Sequence, residues 1–120
     1  MAKLLVVDDS STSRAIVARL LGDKHSVVPS SDGESALVLL AKESFDAVLL
    51  DLLMPGMDGS TVLREIVARH PGLPVIVITA DIQETTHRRV MELGAAAIVN
   101  KPLRSESLLA GIDSVLGAKR

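Results

Sequence analysis

Five short aliphatic runs recur along the chain: LLVV at 4–7, SVV at 26–28, AVLL at 47–50, VIVI at 75–78 and AIV at 97–99. Each is followed by a longer segment whose apolar residues fall three or four apart, as in Ile16, Val17, Leu20 and Leu21, or Val62, Leu63, Ile66 and Val67. This alternation constrains the fold more than any other feature. The runs lack polar alternation and are rich in β-branched residues, which suits strands covered on both faces. The longer segments place their apolar residues on one helical face. Ser10 to Thr12, Ser31 with Asp32, and Ser105 stand where helix caps are needed.

Strands joined by helices need crossover connections, so the sheet is expected to be parallel with helices on both faces. Right-handed crossovers leave few arrangements. The expectation is an α/β, flavodoxin-like (βα)5 doubly wound sandwich, with a five-stranded parallel sheet in the order 2-1-3-4-5 and a site beyond the carboxyl ends of strands 1 and 3. A chain of 120 residues, 48% of them hydrophobic, suits a single domain over residues 1–120.

Composition narrows the function by exclusion. The formal charge of -2, from 13 basic and 15 acidic residues, gives no general attraction to nucleic acid or anionic membranes. The absence of cysteine removes thiolate metal sites and thiol chemistry. Phe45, the one aromatic residue, provides no stacking platform for single strands. No apolar run approaches the ~20 residues that cross a bilayer. A cytoplasmic protein is expected. No G-x-x-x-x-G-K-[ST] or G-x-G-x-x-G loop is present to hold a nucleotide or other organic cofactor.

The residues that follow the strands carry the chemistry. Strand 1 leads into Asp8 and Asp9, strand 3 into Asp51, strand 4 into Thr79, and strand 5 into Asn100 and Lys101. In the expected topology these converge on one edge. Two unit charges ~4 Å apart repel by about 4 kcal/mol at an effective dielectric near 20. Either one carboxyl keeps its proton or a cation sits among them. Oxygen donors without a neighbouring histidine suit a hard ion, Mg²⁺ best, with Mn²⁺ able to substitute. Lys101 and Thr79 are donors for phosphoryl oxygens, and a carboxylate can be the nucleophile that forms an aspartyl phosphate. Asp51, alone between the acidic pair and the two donors, is the candidate.

Taken singly, each residue has an ordinary use: Asp9 and Ser10 as a helix cap, Asp51 as a turn acid, Lys101 as a surface lysine, Thr79 as a capping hydroxyl. Their order and strand-end placement outweigh those readings. His25, His70 and His87 are scattered and read as surface residues, Met91 as packing, and Arg88 and Arg89 as a solvated face.

The chain resembles the receiver domains of two-component response regulators, especially their single-domain, CheY-like members. The resemblance rests on LLVVDDS at 4–10, SDGESAL at 31–37, FDAVLLDLLMPGMDG at 45–59, PVIVITA at 74–80 and GAAAIVNKP at 94–102. The 2-1-3-4-5 order is also that family's order, so it is not an independent deduction. The resemblance implies a phosphorelay signalling module without an output domain, in which Asp51 accepts a phosphoryl group from a sensor histidine kinase, a phosphotransfer protein or a small phosphodonor. Asp8, Asp9, Asp51 and the backbone carbonyl of Leu53 would hold Mg²⁺. Thr79, Lys101 and the backbone amide of Ala80 would grip the phosphoryl oxygens, and the Lys101-Pro102 bond would be cis. Such a protein is not an enzyme beyond its own phosphorylation and slow dephosphorylation. Its output would be binding of a protein target through the helix 4, strand 5 and helix 5 face, in chemotaxis or motility control.

Two positions depart from the family pattern. Ile98 stands where an aromatic residue is common, which implies an aliphatic readout of phosphorylation. Leu53 and Asp81 occupy the places that tune phosphoryl lifetime, and an apolar Leu53 implies slow self-dephosphorylation and a separate phosphatase. Two other functions use similar residues. A haloacid-dehalogenase-type phosphohydrolase would want an acid where Leu53 stands, and a pseudo-receiver that binds partners without phosphate would not need the intact acidic set.

Overall fold

In the computed structural model the described residues are 2–52 and 58–117. They form strands β1 (Lys3–Val7), β2 (Ser26–Ser30), β3 (Ala47–Asp51), β4 (Val75–Thr79) and β5 (Ala97–Asn100). These alternate with helices α1 (Ser11–Leu21), α2 (Gly33–Lys42), α3 (Gly59–Arg69), α4 (Glu84–Glu92) and α5 (Ser105–Gly117). The strands make one parallel sheet in the order β2-β1-β3-β4-β5, as expected.

Successive strand residues face opposite sides, and the core divides accordingly. Leu5, Val7, Val48, Leu50, Val75 and Val77 pack beneath α2, α3 and α4, whose contributions include Ala36, Leu40, Val62, Ile66 and Val90. Leu4, Val6, Ala47, Leu49, Ile76 and Ile78 pack beneath α1 and α5, against Val17, Leu21, Leu108 and Ile112. Every residue of β3 and β4 is buried. In the edge strand β2 only Ser30 is. Pro29 lies in that edge strand, where it has no amide to offer another chain.

The central strands run one residue further than the aliphatic runs that mark them, so Asp51 and Thr79 belong to the sheet itself. Asp51 is in register with Ile78, and Thr79 with Asn100. This extension places two polar side chains at fixed positions on the sheet edge. A loop would not hold them so firmly.

Helices α1, α2 and α3 start on side-chain caps. Ser10 Oγ accepts from the Ser13 amide at 3.2 Å, and Asp32 Oδ1 from the Ser35 amide at 2.7 Å. Asp58 caps α3 by accepting from the Thr61 amide at 3.0 Å, a role the turn-like spelling PGMDG conceals. Helix α4 has Gln83 at its N-cap, without a side-chain capping bond. Met91, expected as packing, is 47% exposed on α4. One face of that short helix is already filled by Val90.

Candidate functional site

The strand alternation decides which side chains meet. Ala47 and Leu49 face the α1 and α5 side, so Asp51, two residues on, faces it too. Asp8 continues the series Leu4 and Val6, and Lys101 the series Ala97 and Val99. Three residues from distant parts of the chain thus converge by parity. Thr79 follows Val75 and Val77, toward the side covered by α3 and α4.

Carboxylate oxygens of Asp8, Asp9 and Asp51 all lie within 4.8 Å of one another. Asp8 and Asp51 are buried and Asp9 is exposed, so the cluster opens to solvent on one side. Lys101 Nζ donates to Asp51 Oδ2 at 3.4 Å, with the Lys101 side chain partly exposed and that of Asp51 buried. The Lys101-Pro102 peptide is cis. Thr79 is buried, and its Oγ1 accepts from the Asp81 amide at 3.0 Å. Ala80, next in the chain, is exposed. The Leu53 carbonyl lies outside the described residues.

Burial pushes the Asp8 carboxyl above the ordinary carboxylate range, and the Asp51 charge pushes the same way. The Ser10 amide, donating to Asp8 Oδ1 at 2.9 Å, and the Lys101 charge pull it back. A divalent cation would reverse the balance by favouring the ionised acids. The donor set fits such an ion: three carboxylates suit a hard cation, and no histidine is part of the cluster among the described residues.

Two supporting residues were not legible as such in the sequence. Arg14, one turn into α1, donates through a guanidinium nitrogen to the Asp8 carbonyl at 2.6 Å and ties the helix to the β1 end. Gly59 opens α3 with its amide donating to the Leu52 carbonyl at 3.1 Å. A Cβ on Gly59 would sit 2.3 Å from that carbonyl oxygen and 2.6 Å from the Leu52 Cα. Only glycine lets α3 approach the backbone immediately after Asp51. The structure makes Gly59 a spacer for the site.

Residues 4–113 match the family described as the response regulator receiver domain. Protein PilH of Pseudomonas aeruginosa is 35% identical over 119 residues, covering 97% of this chain and 98% of PilH. Response regulator PleD of Caulobacter vibrioides is 36% identical over 119 residues, which make up 26% of that longer protein. The solved structure of Vibrio cholerae chemotaxis protein CheY4 superposes with a TM-score of 0.91 at 30% identity, covering 97% of this chain and 99% of CheY4.

Proposed function

The chain belongs to the response regulator receiver domain family, and on that premise we propose that it is a phosphorylation-dependent switch whose phosphoacceptor is Asp51. The observation that carries the reading is the contact between Asp51 Oδ2 and Lys101 Nζ at 3.4 Å inside a three-carboxylate cluster. Asp51 is held in the β3 ladder, so its carboxylate stands ready at the sheet edge. One of its oxygens bonds to phosphorus as the bond from phosphorus to the donor's nitrogen or oxygen breaks. Lys101 receives the transferred charge. Thr79 and the Ala80 amide would donate to the remaining phosphoryl oxygens. Asp8, Asp9, Asp51 and the Leu53 carbonyl would hold Mg²⁺, or Mn²⁺ in its place, which supplies charge neutralisation for the phosphoryl oxygens.

The donor is a phosphohistidine on a sensor kinase or phosphotransfer protein, and the output is altered binding of a protein target in the cytoplasm. No described helix is long and apolar enough to cross a membrane. Ile98 packs half-buried against the cluster that includes Val90 of α4, and Met91 stands exposed on that helix. These features favour the α4, β5 and α5 face as the output surface. The likeness to CheY4 favours a chemotactic role.

Incubation with Mg²⁺ and acetyl phosphate tests the phosphoacceptor. Intact-mass spectrometry should find a single phosphoryl adduct that maps to Asp51, resists acid and is released by base. Steady hydrolysis of unrelated phosphate esters would favour a phosphohydrolase. No adduct and no Mg²⁺ binding would make the domain a pseudo-receiver.

A further inference from the structure

Thr79 is tied to helix α4 through one residue, Asp81. Asp81 donates its amide to Thr79 Oγ1 at 3.0 Å. Its carboxylate accepts from the Gln83 amide at 2.8 Å and from the Thr86 hydroxyl at 2.7 Å. Its carbonyl is 3.0 Å from His87 Nε2, which donates when that nitrogen carries the proton. Gln83, the formal N-cap of α4, makes no side-chain cap, so Asp81 secures the helix start from two residues upstream. Four polar contacts meet on this residue, in a loop with few apolar anchors: Ile82 beside it is 76% exposed.

We propose that Asp81 is a positioning residue that straps the Thr79 hydroxyl to the start of α4 in the unphosphorylated protein and so sets the energy needed to switch. The proposal rests on Asp51 being the phosphoacceptor. The strand alternation sends Asp51 toward the α1 and α5 side and Thr79 toward the α3 and α4 side. If the Thr79 oxygen moves toward a phosphoryl group on Asp51, it leaves the Asp81 amide or draws the amide with it. In either case the turn from Asp81 to Thr86 must release or move, and α4 feels the change directly. The coupling requires no aromatic side chain at position 98. The Asp81 carboxylate is already occupied on the helix side, which makes the strap a different use of this residue from contact with an attacking water.

A ligand that favours the switched state binds more tightly when contacts specific to the resting state are removed. Beryllofluoride with Mg²⁺, a phosphoryl mimic for an aspartate, supplies the probe; titration calorimetry gives affinity, and amide NMR follows the Asp81 N–H. Asp81→Ala should raise the apparent affinity roughly fivefold to tenfold, the equivalent of about one net hydrogen bond or slightly more. Thr86→Val, which changes no charge, should raise it a fewfold, and Asp81→Asn should fall between wild type and Asp81→Ala. The Asp81 amide resonance should shift on binding in wild type. Far-UV circular dichroism should show all variants folded, since both substituted side chains lie outside the core.

Equal affinities in wild type and variants would overturn the strap. A gain in both Asp81 variants with none in Thr86→Val would also overturn it, assigning the effect to lost negative charge. Failure of the wild type to bind the probe at all would reject the phosphoacceptor reading, and the strap with it.

Discussion

Aspartates serve this molecule in two opposed ways, and the contrast separates what holds the fold from what the fold is for. Asp32, Asp58 and Asp81 lie at the starts of helices, where hydrogen bonds hold their carboxyls below the ordinary range: the Ser35 amide for Asp32, the Thr61 amide for Asp58, and the Thr86 hydroxyl for Asp81. Asp8 lies in the acidic cluster, where burial pushes its carboxyl up and the Asp51 charge adds to the effect. The capping acids favour folding by being charged. Charging the clustered acid works against the fold, and a bound cation would compensate that cost.

The largest effect is expected where the two regions touch. Gly59 begins the helix capped by Asp58 and also presses on Leu52, next to Asp51. Gly59→Ala should cost about 1–3 kcal/mol of stability through overpacking and weaken Mg²⁺ binding by about tenfold through displacement of the site's support. Urea melts and calorimetric titration would check both. A variant as stable as wild type would mean that α3 can retreat from Leu52 without strain.

Asp8→Asn should do the reverse to stability. The asparagine oxygen can still accept from the Ser10 amide, while the repulsion from Asp51 is gone. Of the ~3 kcal/mol expected for two charges about 5 Å apart at a dielectric near 20, about 1–2 kcal/mol should survive screening by Lys101 and solvent. The variant should therefore unfold at higher urea than wild type in metal-free buffer. It should also bind Mg²⁺ at least about tenfold less tightly. Destabilisation by Asp8→Asn would break the comparison.

Asp32→Ala sharpens it from the other side. This residue caps α2 and contributes no oxygen to the acidic cluster, so the melting point should drop slightly and the Mg²⁺ affinity should not change. The smallest effect is the pH dependence. The stability that the depressed caps contribute is present above the ordinary carboxylate value of about 3.9 and is lost as pH falls below it. The raised Asp8 has the opposite sign: its contribution is complete below that value and is lost as pH rises through the elevated one. The gain from Asp8→Asn should thus be larger at neutral pH than near pH 3, while the loss from Asp32→Ala shrinks over the same acid range.

The fold was legible because its strands are buried on both faces, leaving β3 and β4 as unbroken aliphatic runs with a polar residue at the end. The same pattern announced Asp51, Thr79 and Lys101. Contacts through the main chain were not legible. Arg14 acts on a carbonyl, Gly59 on a peptide backbone, and Asp81 through its own amide as much as its carboxylate. Such partners leave no trace in residue type or spacing. Asp58 was missed as a cap for a related reason, since a turn-forming Pro-Gly run and a helix start were spelled in the same few letters.

The central claim is that the acidic cluster gives up stability to hold a cation, and thermal unfolding as a function of Mg²⁺ tests it directly. Selective binding to the folded state raises the midpoint with ligand concentration. Wild type and Asp32→Ala should rise together as Mg²⁺ increases, while Asp9→Asn and Asp8→Asn stay nearly flat. A wild type that does not respond to Mg²⁺, or cluster variants that respond as strongly as wild type, would contradict the account.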